Sequence, residues 1–359
     1  MVTARPARAP FLSAVLIVRD EVHRVGECLD ALPGLADEIV VHDTGSTDGT
    51  LEELHRRDVV LVEGAWRDDF AAARNTALAA ARGEWVLSLD ADEVVSADPR
   101  ALRAHLDSGG PPRRLVTILN EEVPPAGGYS FTAVRLFRRD GARWNGRLHE
   151  RILHERDPEA EPALVPPAVL SLHHSGYSTP EALRRKGERN AVLARRALDE
   201  LLVTPGVDPR AVADVALDLG RAHMGAGQLQ RAVEVFEAVR DAEADGRSWQ
   251  RATDYLARLL LGAGQPDLAL GLAEQLRARG AGTKHCDWLR AQALAQLRRP
   301  GEALEALAHV DQLVDLDGRI RGTEAVRELR SLCREMQLAL QRAAGAPVTH
   351  RVSPPVQEP

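Results

Sequence analysis

The chain has 359 residues, of which 44% are hydrophobic and 28% charged, as expected for a globular protein long enough for two domains. Its formal net charge of -7 and aromatic content of 4% argue against nucleic-acid binding, which needs a basic surface and stacking platforms. The cysteines, Cys28, Cys286 and Cys333, lie too far apart for a disulfide framework or a zinc cluster, and no apolar run is long enough to cross a bilayer. We therefore expect a cytoplasmic protein.

The beginning of the chain alternates between apolar runs and helical patterns. Phe11 to Val18 is a continuous apolar run, which predicts a strand buried on both faces. A helical stretch, a second strand from Glu38 to His42 and a polar, glycine-rich loop from Asp43 to Thr50 follow. Two further helices and strands lead to Asp90. This alternation predicts a doubly wound parallel sheet, whose ligands bind beyond the carboxyl ends of the strands.

Two aspartates at the end of the fourth strand form the centre of the predicted site. Asp90 and Asp92 are separated by one residue, so their side chains share one face of an extended chain. They could converge on a hard divalent cation, which prefers carboxylate oxygens, or they could cap a loop. Glu93 should point away from the face that the two aspartates share.

From about Arg113 the pattern changes to strands without helices between them. The runs LVTIL, YSFTAVRLFRR, ARWNGRLHERIL and ALVPPAVLSLHHSGY predict an antiparallel extension of the sheet, with loops folding over its rim. Candidate site residues cluster there, namely His149, Glu150, His154, His173 and His174.

After Thr179 the chain is helical almost to its end, with Pro180 in the first turn. Asp218 to Glu237 resembles Tyr255 to Glu274 at an offset of 37 residues, with GAGQ shared, and a weaker copy follows at an offset of 34. Such a period is typical of helix-turn-helix repeats that stack into a solenoid, and this spacing resembles tetratricopeptide repeats.

The predicted organisation follows from these patterns. It comprises a disordered N-terminus over residues 1–10, an α/β domain over 11–178, a connecting helix over 179–205, tetratricopeptide-like repeats over 206–344 and a disordered tail over 345–359. The concave face of the repeats suits a peptide or protein partner, but dimerisation through the repeats would explain their presence equally well.

Three motifs in order carry a family resemblance: VLIVRDEVHRVGECLDAL, IVVHDTGSTDGT and WRDDFAAARNTALAAARGEWVLSLDADE. From Phe11 to Asn190 the chain resembles family 2 glycosyltransferases of the GT-A fold, most of all those followed by tetratricopeptide repeats. The resemblance implies a Rossmann-like mixed sheet followed by an all-α solenoid. It also implies inverting, Mn- or Mg-dependent transfer from a nucleotide-sugar, with a UDP-sugar expected first and a peptide or protein acceptor. A non-catalytic adaptor and a small-molecule or glycan acceptor remain open.

The resemblance also implies roles for individual residues. Asp43 would accept a hydrogen bond from the nucleobase, although an Asx-turn or a cap made by Asp43 and Asp48 is the alternative. Asp92 would bind the metal with His174, for which His173 is the second choice. An Asp69–Arg74 pair could instead hold the start of the third helix, and Arg189 could contact the diphosphate. The expected donor contacts are Val18, Arg19, Asp43, Ser46, Asp69, Arg74, Asn75, Asp90, Ala91 and Lys186.

The general base is expected in the segment RWNGRLHERI, which matches the acceptor-side strand of the family. A carboxylate serves well for taking the proton of the acceptor, so Glu150 is the first choice and His149 the second. A structural role for both residues is the remaining interpretation.

Overall fold

The structure is a computed structural model that describes residues 9–120, 128–174, 179–242 and 246–343. Two compact units divide the chain. The first comprises Met1–Trp249 with Gly318–Arg321, and the second comprises Gln250–Asp317 with Gly322–Pro359. The predictions of disorder over residues 1–8 and 345–359, and the predicted boundary at residue 178, lie outside the described residues. No helix in the described ranges is long and apolar enough to cross a membrane.

The strands dominate the first half of the chain. In order they are β1 (Leu12–Val18), β2 (Glu38–Asp43), β3 (Val60–Glu63), β4 (Trp85–Leu89), β5 (Glu93–Ala97), β6 (Arg113–Asn120), β7 (Tyr129–Arg138), β8 (Ala142–Asn145), β9 (Arg151–His154), β10 (Ala163–Leu164), β11 (Leu170–His174), β12 (Leu313–Val314) and β13 (Ile320–Arg321).

The first unit is built on one mixed sheet with the strand order β3-β2-β1-β4-β7-β6-β11-β5. The strands β1 to β4 pair in parallel, which confirms the doubly wound part of the prediction. β7 runs antiparallel to both β4 and β6, while β11 is parallel to β6 and antiparallel to β5. The short strand β13 returns to pair with the beginning of β7. The predicted mixed α/β sheet is therefore confirmed.

The helices lie between the early strands and then make up most of the chain after β11. In order they are α1 (Val25–Asp30), α2 (Thr50–His55), α3 (Phe70–Ala80), α4 (Pro99–Asp107), α5 (Pro180–Leu202), α6 (Pro209–Gly225), α7 (Leu229–Ala242), α8 (Arg247–Gly262), α9 (Pro266–Ala278), α10 (Thr283–Gln296), α11 (Pro300–Leu307) and α12 (Glu324–Ala343).

Helices cover both faces of the parallel strands. Leu12 and Leu16 of β1 belong to a buried cluster that also contains residues of α1, α2 and α4. Val15 of the same strand belongs to the opposite cluster, which contains Ala77 of α3. Alternate side chains of β1 are thus buried on opposite faces, as the uninterrupted apolar run predicts.

The segment ARWNGRLHERIL does not extend the main sheet, so the prediction was wrong at this point. Its strands β8 and β9 pair with each other as a separate two-stranded hairpin. The Asn75 side chain of α3 bonds the Trp144 backbone, donating to its carbonyl and accepting from its N–H, both at 2.9 Å. Trp144 and Ile152 pack into the α3 face of the core. The hairpin is held by α3 because its apolar side chains and its backbone both find partners there.

The same turn geometry occurs once within each of the three predicted repeats. Gln228, Gln265 and Arg299 each donate a backbone hydrogen bond to the carbonyl five residues earlier. The residue before each of them is left-handed, and it is Gly227, Gly264 and then Arg298. This is a helix C-terminal motif that favours glycine, so arginine at the third turn marks the weaker copy. The predicted helix-turn-helix repeats are confirmed.

Candidate active site

A cavity of about 560 Å³ lies beyond the carboxyl ends of β1, β2 and β4, where Val18, Thr44 and Asp90 face it. Side chains of the β8–β9 turn and of α5 also line it. Ten of the predicted site residues come together there, namely Val18, Arg19, Arg74, Asp90, Ala91, Asp92, His149, Glu150, His174 and Lys186. The sheet thus brings together residues spread over the whole first domain.

Asp43, at the end of β2, is buried beside this cavity and uses only one of its carboxylate oxygens. Its Oδ1 accepts hydrogen bonds from the N–H groups of Gly45 and Ser46, both at 2.8 Å. Its Oδ2 is buried and has no hydrogen-bond partner among the described residues. The predicted Asx-turn is therefore present, and it leaves one buried acceptor available. Ser46 Oγ accepts from the N–H of Asp20 at 2.9 Å, which holds the two loops together.

Asp69 and Asn75 lie on α3 and do not line the cavity. Asp69 is the N-cap of α3 and accepts from the Ala72 N–H at 2.8 Å. Asn75 holds the β8–β9 hairpin through the Trp144 backbone, as described above. Both side chains therefore fix the helix and the hairpin that carry Arg74 and Glu150.

Asp90 lies between two arginines. Its Oδ1 accepts from Arg74 Nη2 and its Oδ2 from Arg135 Nη2, both at 2.6 Å. Burial acts to raise the pKa of Asp90, but the charges and hydrogen bonds of Arg135 and Arg74 outweigh it and hold this pKa far below its ordinary value. Asp90 is thus a permanent anion whose two oxygens are already engaged.

Glu93 lies under this network and not in the cavity. Its Oε2 accepts from the Asp90 N–H at 2.9 Å and its Oε1 from Arg135 Nη2 at 2.8 Å. Burial raises the pKa of Glu93 to about 7, against the opposing charge of Arg135. Sequence reasoning missed Arg135, although an arginine within the apolar run TAVRLF was a usable signal of a buried ion pair.

Asp92 and His174 meet where β5 pairs with β11, since Asp92 directly precedes β5 and His174 pairs with Glu93, the first residue of that strand. His174 Nε2 lies 3.0 Å from Asp92 Oδ2, and Asn120 Nδ2 lies 3.0 Å from the other ring nitrogen. Burial acts to raise the pKa of Asp92, but the His174 hydrogen bond lowers it overall, and the same hydrogen bond raises the pKa of His174. Arg24 Nη1 lies 3.6 Å from Asp92 Oδ2.

This pair fits a divalent cation by geometry and by donor chemistry. Adjacent ligands of a six-coordinate ion, each about 2.1 Å from the metal, lie about 3.0 Å apart. Carboxylate oxygen and imidazole nitrogen are both ligands that Mn²⁺ accepts. Within the described ranges no group of three or more His, Cys, Asp and Glu side chains is arranged to hold a metal, so the remaining ligands would have to come from elsewhere.

Positive side chains of α5 line the same cavity as Asp92 and His174. Lys186 and Arg189 both line it, and Arg189 lies over the Phe70 ring at 5.3 Å. Lys186 is one of only two lysines in the chain, the other being Lys284. Burial lowers the pKa of Arg189 somewhat, yet an arginine stays charged at any physiological pH. The cavity therefore combines these positive side chains with the Asp92–His174 pair.

Residues 13–109 match the family model described as Glycosyl transferase family 2. The chain contains a family 2 glycosyl transferase domain. The matched residues include β1 to β4 and the segment from Asp90 to Glu93, so the family 2 domain supplies the sheet edge on which the candidate site stands.

Two curated relatives each match about half of the chain. A TPR repeat-containing protein of Synechococcus elongatus is 36% identical over 185 residues, which are 49% of this chain and 44% of that protein. The SPbeta prophage-derived glycosyltransferase SunS of Bacillus subtilis is 26% identical over 194 residues, which are 53% of this chain and 45% of that protein. This chain thus spans less than half the length of either relative.

Solved structures align over more of the chain but only loosely. S. aureus TarS 1-349 covers 86% of this chain and 95% of its own, with 14% identity and a TM-score of 0.34. The mannosyltransferase PcManGT from Pyrobaculum calidifontis, solved with GDP-Man and Mn²⁺, covers 82% and 88%, with 18% identity and a TM-score of 0.36. Scores this low support no statement about the fold or the ligands of the present protein.

Proposed function

We propose that this protein transfers a sugar from a nucleotide-sugar to an acceptor nucleophile, with a divalent cation and with inversion at the anomeric carbon. The observation that carries the proposal is that the Asp92–His174 pair and Lys186 line one cavity, at the carboxyl edge of a family 2 glycosyl transferase domain. A nucleoside diphosphate needs both a cation and positive side chains around its phosphates.

The nucleobase would lie against the loop after β2. Asp43 supports this placement, since its buried Oδ2 is an unused acceptor that an N–H of the base can satisfy. Uracil presents such an imide N–H, so a UDP-sugar is the first candidate donor. Val18 and Arg19, at the end of β1, would contact the base through their backbone, and Asp90 would face the ribose.

Asp92 and His174 would hold Mn²⁺ or Mg²⁺, and a bound cation would neutralise the charge that develops on the departing diphosphate. Lys186 and Arg189, which line the same cavity, would bind the phosphate oxygens. Arg74 and Arg135 compensate the charge of Asp90, so this carboxylate can lie beside the anionic donor.

The transfer is a single displacement. The acceptor atom forms a bond to the anomeric carbon while the bond from that carbon to the diphosphate oxygen breaks, and the electron pair leaves with the nucleoside diphosphate. The proton of the acceptor passes to a base on the β8–β9 turn, where Glu150 and His149 both line the cavity. A peptide or protein recruited by the helical repeats is the proposed acceptor, and the TPR repeat-containing relative supports this choice. The three buried, unlinked cysteines support a cytoplasmic location.

A donor screen tests the proposal. Melting of the protein is measured with UDP-, GDP- and TDP-sugars, each with and without Mn²⁺, because a ligand that binds only the folded state raises the melting temperature. We expect one nucleotide to give the largest rise and to need the cation. No shift with any of them would argue for a non-catalytic adaptor.

Amine labelling then locates the bound donor. Pyridoxal phosphate with borohydride should modify Lys186, and the donor identified in the screen should protect it. Lys284 is the internal control, since it lies in the second unit and pairs with Asp311 at 2.5 Å. Equal labelling of Lys186 with and without the donor would contradict the assignment.

A further inference from the structure

His149 has an unusual backbone conformation. Its φ is +53°, in the left-handed region that non-glycine residues rarely adopt. Such a conformation costs about 1–2 kcal/mol and is concentrated at functional sites. Nearby bonds hold the turn in place, since Phe70 donates its N–H to the Arg147 carbonyl at 3.0 Å.

His149 also lies between two cavities. One is the candidate donor cavity, and the other, of about 610 Å³, is bounded by the β8–β9 turn and by helices α5 and α6. Leu148 and His149 line both. A group that takes a proton from an acceptor must contact both the donor site and the space through which the acceptor enters. His149 can do both if the second cavity admits the acceptor.

A carboxylate of the first helical repeat stands behind the imidazole. Asp218 Oδ1 of α6 lies 3.6 Å from His149 Nε2, and its side chain is 19% exposed. Arg221, one turn further along α6, lies 3.4 Å from the same oxygen. The His149–Asp218 separation is that of an ion pair and longer than a hydrogen bond, as is common for catalytic contacts before the substrate binds.

Glu150, the other candidate base, is already occupied. Its Oε1 accepts from the buried Arg74 Nε at 2.5 Å, and its side chain is only 12% exposed. Protonating it would remove the partner of a buried guanidinium, which is costly. Glu150 is therefore better suited to holding Arg74 than to exchanging protons.

We infer that His149 is the catalytic base and that Asp218, from the first helical repeat, is the residue that positions it. This inference rests on the proposed function. As the acceptor atom bonds to the anomeric carbon and the diphosphate leaves with its electron pair, the acceptor proton moves to the imidazole. Asp218 holds the ring by its Nε2 side and stabilises the imidazolium that forms. The helical region thereby completes the active site.

Donor hydrolysis, in which water replaces the acceptor, tests the inference without an identified acceptor. The donor is the nucleotide-sugar with the largest thermal shift, and the variants are His149→Asn, Asp218→Asn and the double variant. Asparagine tolerates the left-handed backbone, so the first change leaves the turn unstrained. We expect each single variant to lower kcat by about 10- to 100-fold, with KM for the donor unchanged.

The double variant should be no slower than the slower single variant, because both residues act through one proton transfer. The wild-type kcat should fall on acidification, and the fall should be smaller in His149→Asn, where the proposed cation ligand His174 remains to be protonated. The charged groups that line the two cavities include Glu150, Lys186, Arg189, Asp214, Arg151 and Asp218.

Glu237→Gln is the matched control, because Glu237 pairs with Arg240 at 3.0 Å on α7 with the same spacing as Asp218 and Arg221 and lines neither cavity. It should leave kcat unchanged. The inference would be overturned if Asp218→Asn hydrolysed the donor with the same kcat as wild type. It would also be overturned if the losses of the two single variants multiplied in the double variant. In either case, donor hydrolysis by the wild-type protein would still uphold the proposed function. A wild-type protein that neither binds nor hydrolyses any donor would overturn both.

Discussion

Arg135 Nη2 donates a hydrogen bond to Asp90 Oδ2 at 2.6 Å, joining the middle of β7 to the end of β4. The same nitrogen donates to Glu93 Oε1 at 2.8 Å. The Glu93 side chain is 2% exposed, whereas that of Asp90 is 37% exposed and lines the cavity. One guanidinium therefore compensates two carboxylates beneath the candidate cation site. Its removal would leave the buried Glu93 without this ion-pair partner, in a medium that solvates a carboxylate poorly.

Replacing this arginine should destabilise the first unit strongly. We expect Arg135→Met to lower the free energy of unfolding by about 3–5 kcal/mol, because it leaves a buried ion pair with one partner missing. Urea unfolding at pH 7 measures the change. Arg156→Met removes the partner of Asp140 in a solvent-exposed pair and should alter stability little. Equal effects of the two substitutions would refute the structural role of Arg135.

The cation prediction concerns Asp92. Asp92→Asn keeps the size of the side chain but removes its charge. The affinity for the donor in the presence of Mn²⁺ should therefore fall by at least about tenfold. Even the removal of a residue that only supports a metal ligand costs about this much. Without the cation, wild type and variant should bind the donor about equally weakly. Titration calorimetry with and without chelator gives both values. Cation-dependent binding that survives in Asp92→Asn would exclude this residue as a ligand.

The crossing of α5 and α6 should tolerate no side chain at Gly187. A Cβ there would lie 2.3 Å from the Ala226 nitrogen and 2.4 Å from the Gly225 carbonyl carbon. Both are backbone atoms, so Gly187→Ala must push the helices apart at a cost of about 1–3 kcal/mol. The same shift would move Lys186, its neighbour in the candidate cavity.

A second glycine provides the control for this packing argument. Gly271, within α9, has no heavy atom within 4 Å of the position that a Cβ would occupy, so Gly271→Ala should gain about 0.5–1 kcal/mol from helix propensity. Amide hydrogen exchange measures the local stability of each helix separately. Exchange should become faster in α5 of Gly187→Ala and slower in α9 of Gly271→Ala. If amide exchange in α5 and α6 is no faster in Gly187→Ala than in wild type, the two helices do not pack closely enough at Gly187 to exclude a methyl group.

Glu38 should make stability depend on pH. Its carboxylate accepts from Ser13 Oγ at 2.6 Å and from the Arg82 N–H at 2.8 Å. Burial acts to raise the pKa of Glu38, but these hydrogen bonds lower it overall, so the folded state binds this proton less tightly than the unfolded state. The stabilisation is present above the unfolded pKa of about 4.3 and is lost as the pH falls through the lower folded-state value.

Glu38→Gln measures this contribution. The difference in unfolding free energy between wild type and variant should be constant from about pH 6 to pH 8 and should shrink below about pH 4. Chemical unfolding at several pH values provides the curve. A difference that stays constant down to about pH 3 would mean that Glu38 titrates normally in the folded state.

The sequence allowed prediction of the features that local pattern controls. The apolar run of β1, the Asp90–Asp92 spacing and the repeat period each depend on neighbours in the chain, and each appears where the pattern puts it. The helix α4 carried a local signal too, since Asp98 caps it and Pro99 is its first residue, but that signal went unused.

The features that were missed depend on partners far away in the chain. Arg135 meets Asp90 only because β7 inserts beside β4, and no period in the sequence reveals that neighbour. Asn75 was expected at the donor, yet its amide pairs with the Trp144 backbone, a use that requires the hairpin to fold onto α3. Strand order and hairpin docking were settled by tertiary packing, which single-sequence patterns do not encode.

The return of the chain at β13 affects how this protein can be dissected. Ile320 and Arg321 pair with Ser130 and Tyr129 of β7, and Arg321 lies over the Tyr129 ring at 5.1 Å. A truncation after Trp249 would therefore strip a strand from the first unit and leave a bare backbone edge open to intermolecular pairing. Separating the two units requires keeping this tetrapeptide, Gly318–Arg321, by fusion or as an added peptide, and the isolated first unit without it should aggregate.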